Sequence, residues 1–332
     1  MSRTNSQPED ALSRRAFLRR AAKAGVALAT LGYGAARLRK PPAARPAADE
    51  SATKLPDYRA ASLGAKMAIT EGADRSRALA AAIAALGGIR AFIAPGDRVL
   101  LKVNAAFATP PALGATTHPE LVKTLALLCF EAGAAEVMVT DHPIHEAESC
   151  FRFSGIGEAA RDGGARLWTP SARDFRPFTA PGSRLLRHWP VLLAPLEWAT
   201  KLIGMAPLKD HARAGASLTL KNWYGFIGGP RAVFHQSIHE FIADLAGTFR
   251  PTFVVLDGTT TMYRNGPTGG SLADLRPTHR MIVSTDPVAA DAFGATLLDR
   301  PSSALPFLEQ AAAQGAGTVE WERLDPIRVR TT

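Results

Sequence analysis

An α/β fold is what this 332-residue sequence predicts: a mostly parallel β-sheet flanked by helices on both faces, with an irregular proline-rich insertion. Two observations carry that expectation. Short, continuously apolar runs alternate with longer segments of helical period, the pattern of strands covered on both sides. Polar residues follow those runs directly, where open α/β sheets hold their ligands. Composition agrees, since 46% hydrophobic and 21% charged residues exclude wholesale disorder, collagen and coiled coil.

Residues 1–36 hold Arg3, Arg14, Arg15, Arg19, Arg20 and Lys23 against Glu9 and Asp10, followed by a short, weakly apolar stretch from Ala24 to Gly32. A basic start ahead of such a stretch reads as a signal peptide rather than a membrane span. The string Ser13-Arg14-Arg15-Ala16-Phe17-Leu18 resembles the twin-arginine signal of bacteria. That resemblance implies a twin-arginine (Tat) translocon as partner and a periplasmic destination, with membrane anchoring if the signal is not cleaved. Residues 37–56, rich in Pro, Ala and Arg, read as a linker. A single α/β domain is expected over 57–332.

The net charge of +9 belongs mainly to these leading segments, because residues 51–332 carry 29 basic and 26 acidic side chains. No nucleic-acid partner is therefore expected. Two cysteines, Cys129 and Cys150, are too few for an iron–sulfur cluster of the chain's own.

Within the domain, Arg98–Val103 reads as a strand after a Pro95-Gly96-Asp97 turn. A helix is expected from Pro119 to Ala132, with Leu121, Leu125, Leu128 and Cys129 on one face and a stop at Gly133. A strand over Glu136–Thr140, a helix near Gly157–Arg161 and a short strand at Arg166–Trp168 come next. Pro170 to Lys209 contains six prolines and no clean period, so irregular structure with one helix around Leu196–Ile203 is expected there. The remainder predicts a helix over His235–Phe249, strands at Thr252–Leu256 and Met281–Ser284, and a helix from Pro287 to Leu298.

Asn104, Asp141, Asp257 and Asp286 each fall at or just beyond the end of one of these strands. Lys102, Lys209 and Lys221 offer compact cationic donors for a carboxylate or phosphate, and Asn104 and Asn222 offer amides to orient it. The stretch Gly225-Phe226-Ile227-Gly228-Gly229 would let backbone N–H groups approach an anion, though it matches neither dinucleotide nor P-loop patterns. His211 or His118 would move a proton, with Asp257 or Asp286 orienting it. Asp141 and Asp286 are the candidate ligands of a divalent metal.

Several strings, taken in order, resemble the family known as domain of unknown function 362, over about residues 64–300. They are Leu101-Lys102-Val103-Asn104, Thr116-Thr117-His118-Pro119-Glu120, Pro207-Leu208-Lys209-Asp210-His211, Leu220-Lys221-Asn222-Trp223-Tyr224-Gly225, Asp257-Gly258, Asn265-Gly266-Pro267 and Thr285-Asp286-Pro287. The resemblance implies one α/β domain of unestablished biochemistry. The functional expectation is an enzyme acting on a small anionic ligand at the strand ends. The alternatives are a non-catalytic periplasmic binding protein for an anionic metabolite or metal, and an accessory factor of a redox complex.

Overall fold

The computed structural model describes residues 55–60 and 63–331. The signal expected at 1–36 and nearly all of the expected linker lie outside the described residues.

The strands are β1 (Met67–Glu71), β2 (Arg98–Lys102), β3 (Glu136–Thr140), β4 (Arg166–Trp168), β5 (Phe175–Phe178), β6 (Trp189–Leu192), β7 (Lys201–His211), β8 (Gly215–Ser217), β9 (Phe253–Met262), β10 (Leu275–Ser284) and β11 (Ile327–Arg330). The helices are α1 (Arg75–Ala85), α2 (Pro119–Glu131), α3 (Ala147–Phe153), α4 (Ile156–Asp162), α5 (Ala194–Trp198), α6 (Thr219–Asn222), α7 (Ile238–Thr248), α8 (Pro287–Thr296) and α9 (Pro306–Ala313). Nine strands form one sheet in the order β11-β1-β10-β9-β7-β2-β3-β4, with β8 folded back against β7. Along that order only β10 runs against the rest: it pairs antiparallel with both β9 and β1, while the other pairings are parallel. β5 and β6 form a separate hairpin within the proline-rich stretch.

Side chains alternate across this sheet as the pleat requires. Leu100, Leu202, Leu256 and Ile282 join the core beneath α7, α8 and α9, whereas Leu101, Ile203, Val255 and Met281 join the opposite core beneath α1, α2 and α4. Burial on both faces is why the strands read as continuous apolar runs. α2 begins with Pro119 at its first position, which suits a residue lacking an N–H, and the chain leaves it at Gly133 with φ 97°.

The expected helix around Leu196–Ile203 is corrected by the structure. α5 ends at Trp198, and β7 starts at Lys201 to run eleven residues through the centre of the sheet. Gly204 and Pro207 read locally as strand breakers, yet both have tertiary reasons to be there. A Cβ on Gly204 would stand 2.7 Å from the Trp223 ring, so only glycine lets that indole pack on the strand. Pro207 sits where the β7–β9 register shifts, at an irregularity that tolerates a residue without a ladder N–H.

Candidate functional site

The carboxyl ends of β2, β3 and β7 open into a cavity of about 500 Å³. Asn104, Asp141, Lys209, His211, Lys221 and Asn222 all line it, brought together from four segments of the chain. β2 and β3 pair with Lys102 opposite Thr140, which places Asp141 one step beyond the end of β3 and within reach of Lys102.

Lys102 lies beneath the cavity wall rather than in it, fully buried. Its Nζ is 2.7 Å from Asp141 Oδ1, and it also donates to the Val103 carbonyl (2.6 Å) and to Asn222 Oδ1 (3.3 Å). Asp141 is equally engaged, since its Oδ2 accepts from the Ala105 N–H (2.6 Å) and its Oδ1 from the His142 N–H (2.9 Å). Asn222 donates to the carbonyls of Lys102 and Met205 while its Oδ1 also accepts from Asn104 Nδ2. Lys102, Asp141 and Asn222 thus form a satisfied polar floor. Burial still holds the Lys102 ammonium below its usual pKa, with Asp141 opposing the shift.

The floor needs a glycine above it. A Cβ on Gly225 would fall 1.8 Å from Asp141 Oδ1 and 2.5 Å from Lys102 Nζ. The Gly-rich stretch therefore makes room for the buried ion pair.

Above the floor the cationic groups lack such partners. Lys221 sits on the four-residue α6, whose first N–H groups are held by the carboxylate of Asp291 on α8: Thr219 N–H and Leu220 N–H each donate at 2.9 Å. Burial lifts the Asp291 pKa to about 7. The Lys221 ammonium is partly exposed and stands 4.8 Å from the centre of the Tyr224 ring, with no acceptor or carboxylate partner among the described residues. Burial, and then the Arg231 charge, bring its pKa down to about 8. Lys209 donates to the Ala115 carbonyl and, at 3.5 Å, to Asn104 Oδ1. Burial, followed by the Lys221 charge, takes its pKa down to about 7. Arg231 donates to the backbone carbonyls of Tyr224, Ile227, His142 and Pro143 and, among the described residues, to no carboxylate.

His211, the last residue of β7, accepts through Nδ1 from the N–H groups of Arg213 (3.2 Å) and Ala214 (3.1 Å). An imidazole accepting at Nδ1 carries its proton on Nε2. Burial, then Lys221 and His235, depress its pKa to about 3, so at neutral pH it is a fixed N–H donor.

His118, Asp257 and Asp286 do not line the cavity. His118 precedes α2, and its Nδ1 is 3.7 Å from Glu120 Oε2. Burial and then the Arg75 charge lower its pKa. Asp257 lies inside β9, not at its end, and is held by Arg75 Nε at 3.0 Å. Asp286 follows β10, the reversed strand, so it emerges at the opposite ends of the parallel strands, where its carboxylate accepts from Ala289 N–H at the start of α8 and from Thr318 N–H. Asp141 and Asp286 are therefore not placed to share a metal, and no group of three or more His, Cys, Asp or Glu among the described residues is arranged to hold one. Cys129 and Cys150 are both buried free thiols, with pKa values pushed by burial up to about 12 and about 11. No helix among the described residues is long and apolar enough to cross a membrane.

Arg231, Phe107 and Tyr224 are among the cavity residues that sequence reasoning did not assign. Tyr224 was within reach, being part of the Lys221-Asn222-Trp223-Tyr224-Gly225 string. Arg231 carries no local signal.

The fold and cavity define an α/β protein with a lysine-lined recess beyond the carboxyl ends of its parallel strands. Residues 99–296 match the model of the family described as Domain of unknown function (DUF362), and the chain belongs to that family. The match spans every residue lining the cavity. The chain is also similar to a thylakoid-associated protein of Synechocystis sp., 26% identical over 250 residues, which cover 73% of this chain and 75% of that protein.

Proposed function

We propose that this chain is an exported enzyme acting on a small organic anion, a carboxylate or phosphate, captured beyond the strand ends by Lys221 and the Nε2–H of His211. One observation carries the reading. Among the described residues, Lys209, Lys221 and Arg231 gather around one cavity without a carboxylate of their own, and the acid beside them, Asp141, is already paired with Lys102. Buried positive charge of this kind is offset by a bound anion. Amines drawn toward neutrality inside a cavity are also the usual mark of reacting groups.

Calorimetric titration with propanoate and with inorganic phosphate tests the capture. Lys221→Ala is expected to weaken binding roughly ten- to a hundredfold, the loss of one charge-assisted hydrogen bond. Unchanged affinity would remove Lys221 from the site. The pH dependence has a definite sign. A bound anion raises the pKa of both amines, so the complex holds more protons than the empty protein. Affinity is then greatest below pH about 7 and declines as the pH rises past about 7 and about 8, where Lys209 and Lys221 lose their protons. An affinity that climbs with pH over that range contradicts the assignment.

The fixed tautomer of His211 favours a second reading, a binding protein without turnover, because an imidazole with so low a pKa is not a proton shuttle at neutral pH. Turnover of any bound acid separates the two. Export rests on residues 1–36 alone: in cells lacking the twin-arginine translocase the chain should stay in the cytoplasm, and its appearance in the periplasm there would refute that route.

A further inference from the structure

We propose that Lys209 is a nucleophilic amine that condenses with the carbonyl group of an oxo acid whose carboxylate is held by Lys221. The inference rests on the anion-binding reading above and adds a covalent step to it.

The three lysines of the region divide by their surroundings. Lys102 has a carboxylate at 2.7 Å, three acceptors in all, and no place in the cavity wall, which is how a structural ammonium is kept. Lys221 is partly exposed and rests against an aromatic face, the setting of a cation awaiting a counter-ion. Lys209 also stands over a ring, 5.2 Å from the centre of Phe107, and differs from both in its burial and its acceptors. It lines the cavity, is 1% exposed, and has two acceptors, the Ala115 carbonyl and Asn104 Oδ1. No carboxylate pairs with it among the described residues. A neutral amine has two N–H bonds and one lone pair. Those two acceptors match its two N–H bonds and leave the lone pair without a partner. A neighbouring ammonium and a dry pocket are the two devices that keep a lysine amine unprotonated and reactive. Lys221 supplies the first and burial the second, in line with a Lys209 pKa of about 7.

In the step itself the Lys209 nitrogen adds to the carbonyl carbon. The carbonyl oxygen takes one proton from the amine and one from solvent and leaves as water. The nitrogen keeps its remaining hydrogen as an iminium, and no oxidant or reductant is consumed. Tyr224 also lines the cavity, with its hydroxyl buried and unpartnered, and burial raises its pKa so that it stays protonated as a donor. A cavity of about 500 Å³ has room for an organic acid as well as its charged group.

Reductive trapping tests the proposal on the full chain. The protein is incubated with pyruvate or with phenylpyruvate and sodium cyanoborohydride, followed by intact-mass measurement and peptide mapping. The expected product gains one oxo acid less one oxygen atom, located at Lys209, and is absent from Lys209→Arg. Labelling should rise roughly tenfold per pH unit up to about pH 7, where Lys209 sheds its proton, and fall past about pH 8, where Lys221 no longer holds the carboxylate, whereas ordinary surface lysines keep gaining reactivity toward about pH 10. Mapping on the unaltered protein decides the matter even if the variant fails to fold. Labels scattered over surface lysines, or located at Lys221, would overturn the proposal. No label while propanoate or 3-phenylpropanoate still binds would defeat the covalent step and leave anion capture standing. Failure of those acids to bind as well would remove both.

Discussion

Replacing Gly225 by alanine should destabilise the fold by about 3–5 kcal/mol, the loss that follows when a buried ion pair is forced apart. The added methyl would stand 1.8 Å from Asp141 Oδ1 and 2.5 Å from both Lys102 Cε and Nζ. Neither side chain has room to retreat: Lys102 is fully buried and Asp141 is 2% exposed, and each is bound to further groups. Urea denaturation measures the effect as a lower midpoint at unchanged slope. Gly157→Ala is the control, because a Cβ in α4 meets nothing closer than 3.4 Å and alanine favours helix, so it should be neutral or slightly stabilising. If the two variants behaved alike, the buried pair would not govern this region.

Asp141→Asn should cost a similar amount, about 3–5 kcal/mol near neutral pH, while keeping the shape of the side chain. It leaves the Lys102 charge buried with no opposing one. The cost should also shrink as the pH rises. Lys102 already has its folded-state pKa lowered by burial, and Asp141 opposes that shift, so the variant must lower it further. A lysine unfolds to a pKa of about 10.4, hence the unfolded chain binds more protons than the folded one and stability grows with pH between those values. Denaturation midpoints across the neutral to alkaline range read this directly. A deficit that stayed constant with pH would mean that Lys102 is not the group left uncompensated.

Much of the site was legible because strand ends in parallel sheets are marked twice, by an apolar run and by the polar residue after it. Asn104 and Asp141 were found that way, and Lys209, His211 and Lys221 by their place in short polar strings. Strand direction was not legible. Nothing local in Met281–Ser284 says that β10 runs backwards, and that reversal is what sends Asp286 to the amino ends of the parallel strands. β7 was hidden because Gly204 and Pro207 are turn residues by composition, and only the Trp223 contact and the register shift against β9 explain them. Asp257 and His118 lie outside the cavity, and the group beside them, Arg75, comes from a helix far away in sequence. Arg231 likewise takes its meaning from carbonyls that converge only in three dimensions.

The clasp of Asp291 on the first turn of α6 has a consequence for any guest. The segment bearing Lys221 is staked to a neighbouring layer by two backbone amides and the Thr219 hydroxyl. Its main chain surrenders its freedom while the polypeptide folds, leaving only one flexible side-chain stem to be stilled at the moment of capture.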